Sequence, residues 1–350
     1  MFNPLISLNV LLYKPGSYLK PCLESILNQN YGHVELLMID NNSADGTVEK
    51  VKELMAAAGN QIRWQLIVNG QNLGFAGGHN QGIKESRGEL VALVNQDIIL
   101  DKGFLKNIIE IFKDEKAGSA QGKLWRLRVD GENLSKTETI DNAGLIMLKN
   151  RRIIARGQGQ KDEGQFDRIK EIFGVDGALP VYRRTALEDV KVQSSKFKVQ
   201  SSDYEYFDED FFAYKEDVDL AWRLRLAGWK AFYVSGAVAW HARSAGESVA
   251  TNYLGIIRER LKIGKFAKYL SFKNQRLMQI KNEQPLLFLK HLIWWLPKEI
   301  ASWIYVILFE RYTWRAIGDL FRQAPGAWQK RKIIMARRRV SSEEMEGWFK

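Results

Sequence analysis

Short apolar runs alternate with helix-like stretches through the first 120 residues, and that alternation leaves few folds open. Ile6-Ser7-Leu8-Asn9-Val10-Leu11-Leu12 reads as a buried strand. Val34 to Ile39, Ile62 to Val68 and Leu90 to Val94 repeat the pattern, with plausible helices over residues 17–28, 46–58 and 76–86 between them. Nearly continuous apolar runs joined by helices predict an α/β fold with a mostly parallel, Rossmann-like central sheet covered by helices on both faces. Sheets of this kind bind ligands beyond the carboxyl ends of their strands. Further along, apolar runs around Ile146 and Ile153 could pair as a hairpin, residues 216–227 look helical, and Ala231-Phe232-Tyr233-Val234 reads as a strand.

Chemistry is therefore expected in the polar stretches after strands two, three and four. The first is Asp40-Asn41-Asn42-Ser43-Ala44-Asp45-Gly46-Thr47. Asp40 can accept a hydrogen bond from a base or a ribose hydroxyl; the stretch also suits a plain turn in which Ser43 or Asp45 caps the next helix. The second is Asn72-Leu73-Gly74-Phe75-Ala76-Gly77-Gly78-His79-Asn80-Gln81-Gly82. Glycines at a helix start let backbone N–H groups approach a diphosphate, or let the helix pack closely; the spacing is neither the Walker pattern nor Gly-x-Gly-x-x-Gly. His79 by itself reads as a packing or surface residue. The third is Asn95-Gln96-Asp97, where a carboxylate at the ligand edge can bind a hard divalent cation bridging two phosphates, or simply close a turn.

Six carboxylates crowd residues 208–219: Asp208, Glu209, Asp210, Glu216, Asp217 and Asp219, framed by aromatic residues. The last three open a helix, where the dipole favours negative charge. Leu220 and Ala221 follow directly, so the acids cannot all face solvent. One at the mouth of a site could act as general base for an acceptor hydroxyl; a charged helix start balanced by Arg223 and Arg225 is the plainer alternative. His241 follows the apolar run Ala237-Val238-Ala239-Trp240 and is either a metal ligand or structural.

Taken in order, the stretches beginning at Asp40, Asn72 and Asn95, then Phe207-Asp208-Glu209-Asp210-Phe211-Phe212, Glu216-Asp217-Val218-Asp219-Leu220 and His241 resemble glycosyltransferase family 2, in particular its rhamnosyltransferase-like branch. The resemblance spans about residues 5–245. It implies a GT-A fold and an inverting transfer from a nucleotide diphosphate sugar. It places Asp40 at the nucleobase with Tyr13 near the same pocket, Asn42, Asn72, Gly74 and Asn95 among the donor-binding residues, and Asp97 as metal ligand in an Asp-x-Asp motif whose first Asp is replaced by Asn95. Asp217 corresponds to the catalytic base and His241 to the second protein ligand of the metal. Such ligands with phosphate oxygens suit Mg2+ or Mn2+. The Gln-x-x-Arg-Trp signature of processive relatives is absent, Ala221-Trp222-Arg223-Leu224-Arg225 standing in its place, which implies addition of a single sugar.

Charge divides the chain. Residues 251–350 hold 20 Lys+Arg against 8 Asp+Glu and six of the 11 tryptophans, whereas the first 250 residues are nearly neutral. We therefore expect a catalytic region over 1–250 and a basic, Trp-rich helical amphipathic extension over 251–350. Within it, Lys298 and Glu299 interrupt the apolar stretch from Leu286 to Phe309 before about 20 apolar residues accumulate, which disfavours a spanning helix. Helices lying on an anionic membrane surface fit better, although a helical subdomain packed on the core would share the pattern. The direct repeat Lys-Val-Gln-Ser-Ser within residues 191–202 reads as a mobile polar insertion.

The single cysteine, Cys22, rules out a disulfide within the chain and a cysteine-built zinc site, and suits a reducing compartment. Met1-Phe2-Asn3-Pro4 shows no basic start followed by an apolar run, so no secretory signal is expected. The expected location is the cytoplasmic face of the cell membrane, with a lipid-linked glycan or a cell-surface polysaccharide precursor as acceptor and no nucleic-acid partner. Two other classes share parts of this pattern. A catalytically silent relative that binds membranes or glycans would keep the fold. A nicotinamide-dependent oxidoreductase would need Gly-x-Gly-x-x-Gly after strand one, where the chain reads Leu12-Tyr13-Lys14-Pro15-Gly16-Ser17.

Overall fold

The computed structural model describes residues 2–59, 62–131, 133–193, 204–243 and 249–350. Strands Ile6–Leu12 (β1), Val34–Asp40 (β2), Arg63–Val68 (β3) and Leu90–Asn95 (β4) pair in parallel in the spatial order β3-β2-β1-β4. Helices Leu19–Leu27 (α1), Thr47–Ala58 (α2) and Gly74–Glu85 (α3) lie between them in the chain. These elements start and end within about two residues of the expected positions. Helix α1 buries Leu19, Cys22, Leu23 and Ile26, one face at helical spacing, against a core that includes Ile6, Leu8 and Val10. Burial pushes the Cys22 thiol up to about 12.

Beyond β4 the sheet becomes mixed. Ile98–Leu100 (β5), Ala117–Asp130 (β6) and Asn133–Asn142 (β7) follow, with the short helix Phe104–Ile108 (α4) after β5. Leu145–Met147 (β8) and Ile153–Ala155 (β9) form the expected hairpin. Lys170–Ile172 (β10), Pro180–Arg183 (β11), helix Arg184–Val190 (α5) and the short pair Val192–Gln193 (β12) and Tyr204–Glu205 (β13) come next. Helix Glu216–Leu226 (α6) leads into Lys230–His241 (β14). The complete path is β10-β14-β6-β11-β4-β1-β2-β3, with β5 on β14 and β7 on β6. β14 is longer than expected. It joins the Ala231 run to the Ala237 run, its register against β6 slipping between Val234 and Val238. Such a slip re-aims a strand without ending it, and it carries His241 to the level of the β4 end. Of the repeat, residues 191–193 close α5 and begin β12; residues 194–203 lie outside the described residues.

Four helices and a terminal turn complete the chain: Tyr253–Lys262 (α7), Lys265–Asn282 (α8), Pro285–Phe309 (α9), Trp314–Ala336 (α10) and Ser342–Glu346 (α11). They share a core with the α/β region. Leu277, Met278, Leu320, Ile334 and Phe349 cluster with Phe211, Val218, Trp222 and Leu226. Helix α9 runs unbroken for 25 residues through Pro297, long and apolar enough by length and composition to cross a membrane. The Lys298-Glu299 interruption does not end it because Glu299 turns inward. Its carboxylate meets Arg276 of α8 at 2.7 Å and accepts from Trp303 Nε1 at 2.8 Å. The outward stripe stays apolar, with Leu286, Leu289, Ile293, Ile300, Ile304 and Leu308 all exposed.

Candidate active site

At the carboxyl ends of β1 to β4, polar loops interlock. Asp40 closes the turn after β2, its carboxylate accepting from Ser43 N–H at 3.1 Å and from Ser43 Oγ at 2.5 Å. Asn42 is exposed with φ 64°, a left-handed conformation that Asn tolerates. Between them Asn41 reaches the other way. Its Nδ2 donates to the Gly74 carbonyl at 2.9 Å and its Oδ1 accepts from Asn69 at 3.0 Å, tying the loop after β2 to the loop after β3. Tyr13, at the end of β1, is fixed by Gln96: its N–H donates to Gln96 Oε1 at 2.7 Å and its carbonyl accepts from Gln96 Nε2 at 3.0 Å.

The glycines of α3 serve mainly to let the helix approach the sheet. A Cβ on Gly78 would lie 2.4 Å from Leu11 Cδ1, and one on Gly82 2.9 Å from Ile39 Cδ1. Gly74 has φ +73°, and a Cβ there would lie 2.4 Å from the Phe212 carbonyl oxygen. Its N–H is taken by Asn72 Oδ1 at 2.8 Å, a bond that shapes the loop. His79 is fully buried against Phe75 and Phe207, and burial lowers its pKa to about 3. It is a packing residue.

Asp97 and His241 meet where β4 and β14 end, Asp97 Oδ1 lying 3.5 Å from His241 Nε2. The backbone fixes the same junction, Ala242 N–H donating to the Asp97 carbonyl at 3.1 Å. The other ring nitrogen, Nδ1, sits 2.8 Å from Asp141 Oδ2, and Arg243 lies 3.3 Å from the same oxygen. Asp141 is fully buried at the end of β7. A carboxylate on Nδ1 fixes the ring so that Nε2 points at Asp97, the arrangement that orients metal-ligating histidines. Burial alone would lower the imidazole pKa, but the Asp97 charge and the bond to Asp141 outweigh it and push it up to about 10. Among the described residues no three His, Cys, Asp or Glu side chains converge as a metal cage. A cation held by this pair would displace the Nε2 proton and take its remaining ligands from phosphate oxygens and water, as Mg2+ and Mn2+ do.

Across the same cleft, α6 presents Asp217. Its Oδ1 accepts from Val218 N–H at 2.8 Å and its Oδ2 from Gly177 N–H at 3.1 Å. Burial, then the neighbouring Asp176 charge, raise its pKa to about 6 against the pull of Lys215 and the two amides. Asp176 is held by Asn142 Nδ2 at 2.8 Å. The segment that delivers Asp217 is strained, with positive φ at Phe212, Tyr214 and Lys215. It is held by α8: Asn274 Nδ2 donates to the carbonyls of Phe211, Ala213 and Tyr214 at 2.9, 2.9 and 2.8 Å.

Two other acids of this region are tied into the fold by buried ion pairs. Asp219 pairs with Arg223 at 3.0 Å and Lys281 at 2.9 Å. Asp208 pairs with Lys281 and Lys330, both at 2.5 Å, and Lys330 also reaches Glu205 at 2.6 Å.

One cleft of about 820 Å3 joins these parts, lined by Tyr13, Asn41, Asn72, Gly74, Asn95, Asp176, Asp217, His241 and Arg243 among others. Asp40 and Asn42 flank Asn41 without lining it, and Asp97 meets it through His241. Sequence reasoning missed Asn41, Gln96, Asp141, Asp176, Arg243 and Asn274. Only Asn41 and Gln96 lay inside stretches already singled out.

A half-parallel sheet with a loop-built cleft at its strand ends defines the GT-A class, and solved structures of that class superpose on it. A mannosyltransferase from Pyrobaculum calidifontis in complex with GDP-Man and Mn2+ is 15% identical, covering 96% of this chain and 86% of that one with TM-score 0.53. TarS 1-349 from S. aureus in complex with UDP-GlcNAc is 16% identical, covering 95% and 90% with TM-score 0.53. The sequence profile of "Glycosyl transferase family 2" matches residues 7–191, and the chain belongs to that family. Glycosyltransferase GlyG of Streptococcus pneumoniae is 28% identical over 124 residues, 35% of this chain and 40% of that protein. The poly-beta-1,6-N-acetyl-D-glucosamine synthase of Staphylococcus aureus is 27% identical over 236 residues, 65% of this chain and 47% of that protein. The chain spans about a third to a half of the length of the curated relatives it matches.

Proposed function

We propose that the protein is an inverting, metal-dependent hexosyltransferase. It moves one sugar, rhamnose or another hexose, from a dTDP- or UDP-sugar to a hydroxyl of a lipid-linked glycan or cell-surface polysaccharide precursor. The observation that carries this reading is that Asp217 and His241, with Asp97 against its ring, line one cleft. In the proposed reaction Asp217 takes the proton of the acceptor hydroxyl as its oxygen bonds to the anomeric carbon. The bond from that carbon to the nucleoside diphosphate breaks in the same displacement, inverting the configuration. Mg2+ or Mn2+ held by Asp97 and His241 would supply positive charge to the departing diphosphate. Tyr13, Asp40 and Asn42 would receive the nucleoside, with Asn72, Gly74 and Asn95 beside the donor's remaining groups. Two neighbours support the donor class, one named with GDP-Man and Mn2+ and one with UDP-GlcNAc. The rhamnosyl assignment rests on the order of the sequence motifs.

The test is a panel of dTDP-, UDP- and GDP-sugars with Mn2+, following nucleoside diphosphate release. One donor should turn over well above the rest, and a chelator should stop it. No turnover and no binding of any nucleotide sugar would overturn the proposal.

We further propose that residues 251–350 attach the enzyme peripherally to the anionic cytoplasmic face of the membrane through the outward stripe of α9. Fully burying one such side chain is worth about 1.5–3 kcal/mol. Leu289→Glu combined with Ile293→Glu should therefore reduce co-sedimentation with phosphatidylglycerol vesicles by about tenfold or more. Equal sedimentation of the variant and the wild type would count against this attachment.

A further inference from the structure

The cleft does not end at Asp217. Past the Phe212–Lys215 segment it continues between α7, α8 and the inner side of α9. The walls there are apolar, with Ile256, Ile257, Phe266 and Tyr305, yet Arg152, Lys215 and Lys298 also line them. Arg152 is paired with Glu259 at 2.5 Å. Lys298 lies 3.7 Å from Glu299 Oε2, too far for a hydrogen bond, while the other oxygen of that carboxylate meets Arg276 at 2.7 Å. Lys215 makes no side-chain ion pair or hydrogen bond among the described residues. Burial holds the Lys298 ammonium down at about 8 and, although Glu299 opposes it, the charges of Arg276, Lys215 and Arg152 add to the effect. Lys215 feels the Asp217 and Glu216 charges and Lys298 that of Glu299, but among the described residues no carboxylate hydrogen-bonds either ammonium, so both keep donors for a bound anion.

We propose that this arm is an acceptor subsite for a lipid phosphate, with the phosphate on Lys215 and Lys298 and the hydrocarbon chain along Ile257, Phe266 and Tyr305. The inference rests on the transferase reading and specifies its acceptor. Lys215 stands two residues before the base, so a sugar carried on that phosphate would present its hydroxyls to Asp217. The chain would leave the cleft beside α9, whose outer stripe is apolar and exposed.

The test uses the full-length protein and dodecyl phosphate below its micellar concentration, compared with the neutral tetraethylene glycol dodecyl ether and with water-soluble glycerol 3-phosphate. A charge-assisted contact predicts about tenfold tighter binding of dodecyl phosphate than of either comparison compound. Lys298→Met and Lys215→Met should each bring its affinity down close to that of the neutral ether, and Lys298→Arg should keep the preference. Two outcomes overturn the subsite: a charge preference intact in both Met variants, or glycerol 3-phosphate binding as tightly as dodecyl phosphate. Nucleotide-sugar binding is measured separately. Donor binding without the phosphate preference would sink the subsite alone, and the preference without donor binding would sink the transferase reading alone.

Discussion

Asp217→Asn is expected to lower kcat by about 10²- to 10⁴-fold with little change in donor affinity. The amide fits the same space and can still accept from one of the two N–H groups, of Val218 and Gly177, that hold the carboxylate. What it loses is the capacity to take a proton. The wild-type pH dependence follows from the same geometry. Burial and the Asp176 charge place the Asp217 pKa at about 6. The base acts when ionised, so kcat/KM should be level above pH 6 and fall about tenfold per unit below it. Asp176→Asn removes a repelling charge and should move that break to lower pH. Wild-type kcat in the Asp217→Asn protein, or a flat wild-type profile from about pH 5 to 8, would falsify the assignment of the base.

Lys330→Met should destabilise the protein by about 3–5 kcal/mol, because it strips a cation from a buried carboxylate cluster. Lys330 and its partners Glu205 and Asp208 are each no more than 3% exposed in their side chains. The two lysines hold the Asp208 carboxyl far below the usual range in spite of its burial. Burial and the Asp208 charge push Glu205 up to about 7 even with Lys330 present. Without the ammonium, at least one of these acids must take up a proton or draw in water. Urea denaturation would read the loss directly, and Glu205→Gln in the same chain should recover part of it. A shift below about 1 kcal/mol would mean that the cluster is hydrated and the contacts nominal.

Strands β1, β2 and β4 were legible because their runs are mostly apolar, and the chemistry followed from where such strands end. The acidic stretch was harder. Its six carboxylates look alike in sequence, yet Asp208 and Asp219 are consumed by lysines 62 to 122 positions away, while Asp217 faces the cleft. Nothing local marks that division. Asp141 and Asp176 were invisible for the same reason: neither belongs to a recognisable motif, and each is given meaning only by a distant partner, His241 and Asp217. The polar interruption within α9 is settled in the same way, Glu299 being matched by Arg276 from the preceding helix. Long-range pairing thus decided what local pattern left open.

The burial of Cys22 has a practical consequence. Its sulfur lies in the interior of the first helix layer, with a thiol too weakly acidic to react near neutral pH. As it is the sole cysteine, the native surface offers nothing to a maleimide. A cysteine introduced on the rim of α7, or at chosen depths along α9, would carry a spin or fluorescent label at a unique position. Immersion of each helix in a bilayer could then be mapped turn by turn on an otherwise unaltered chain.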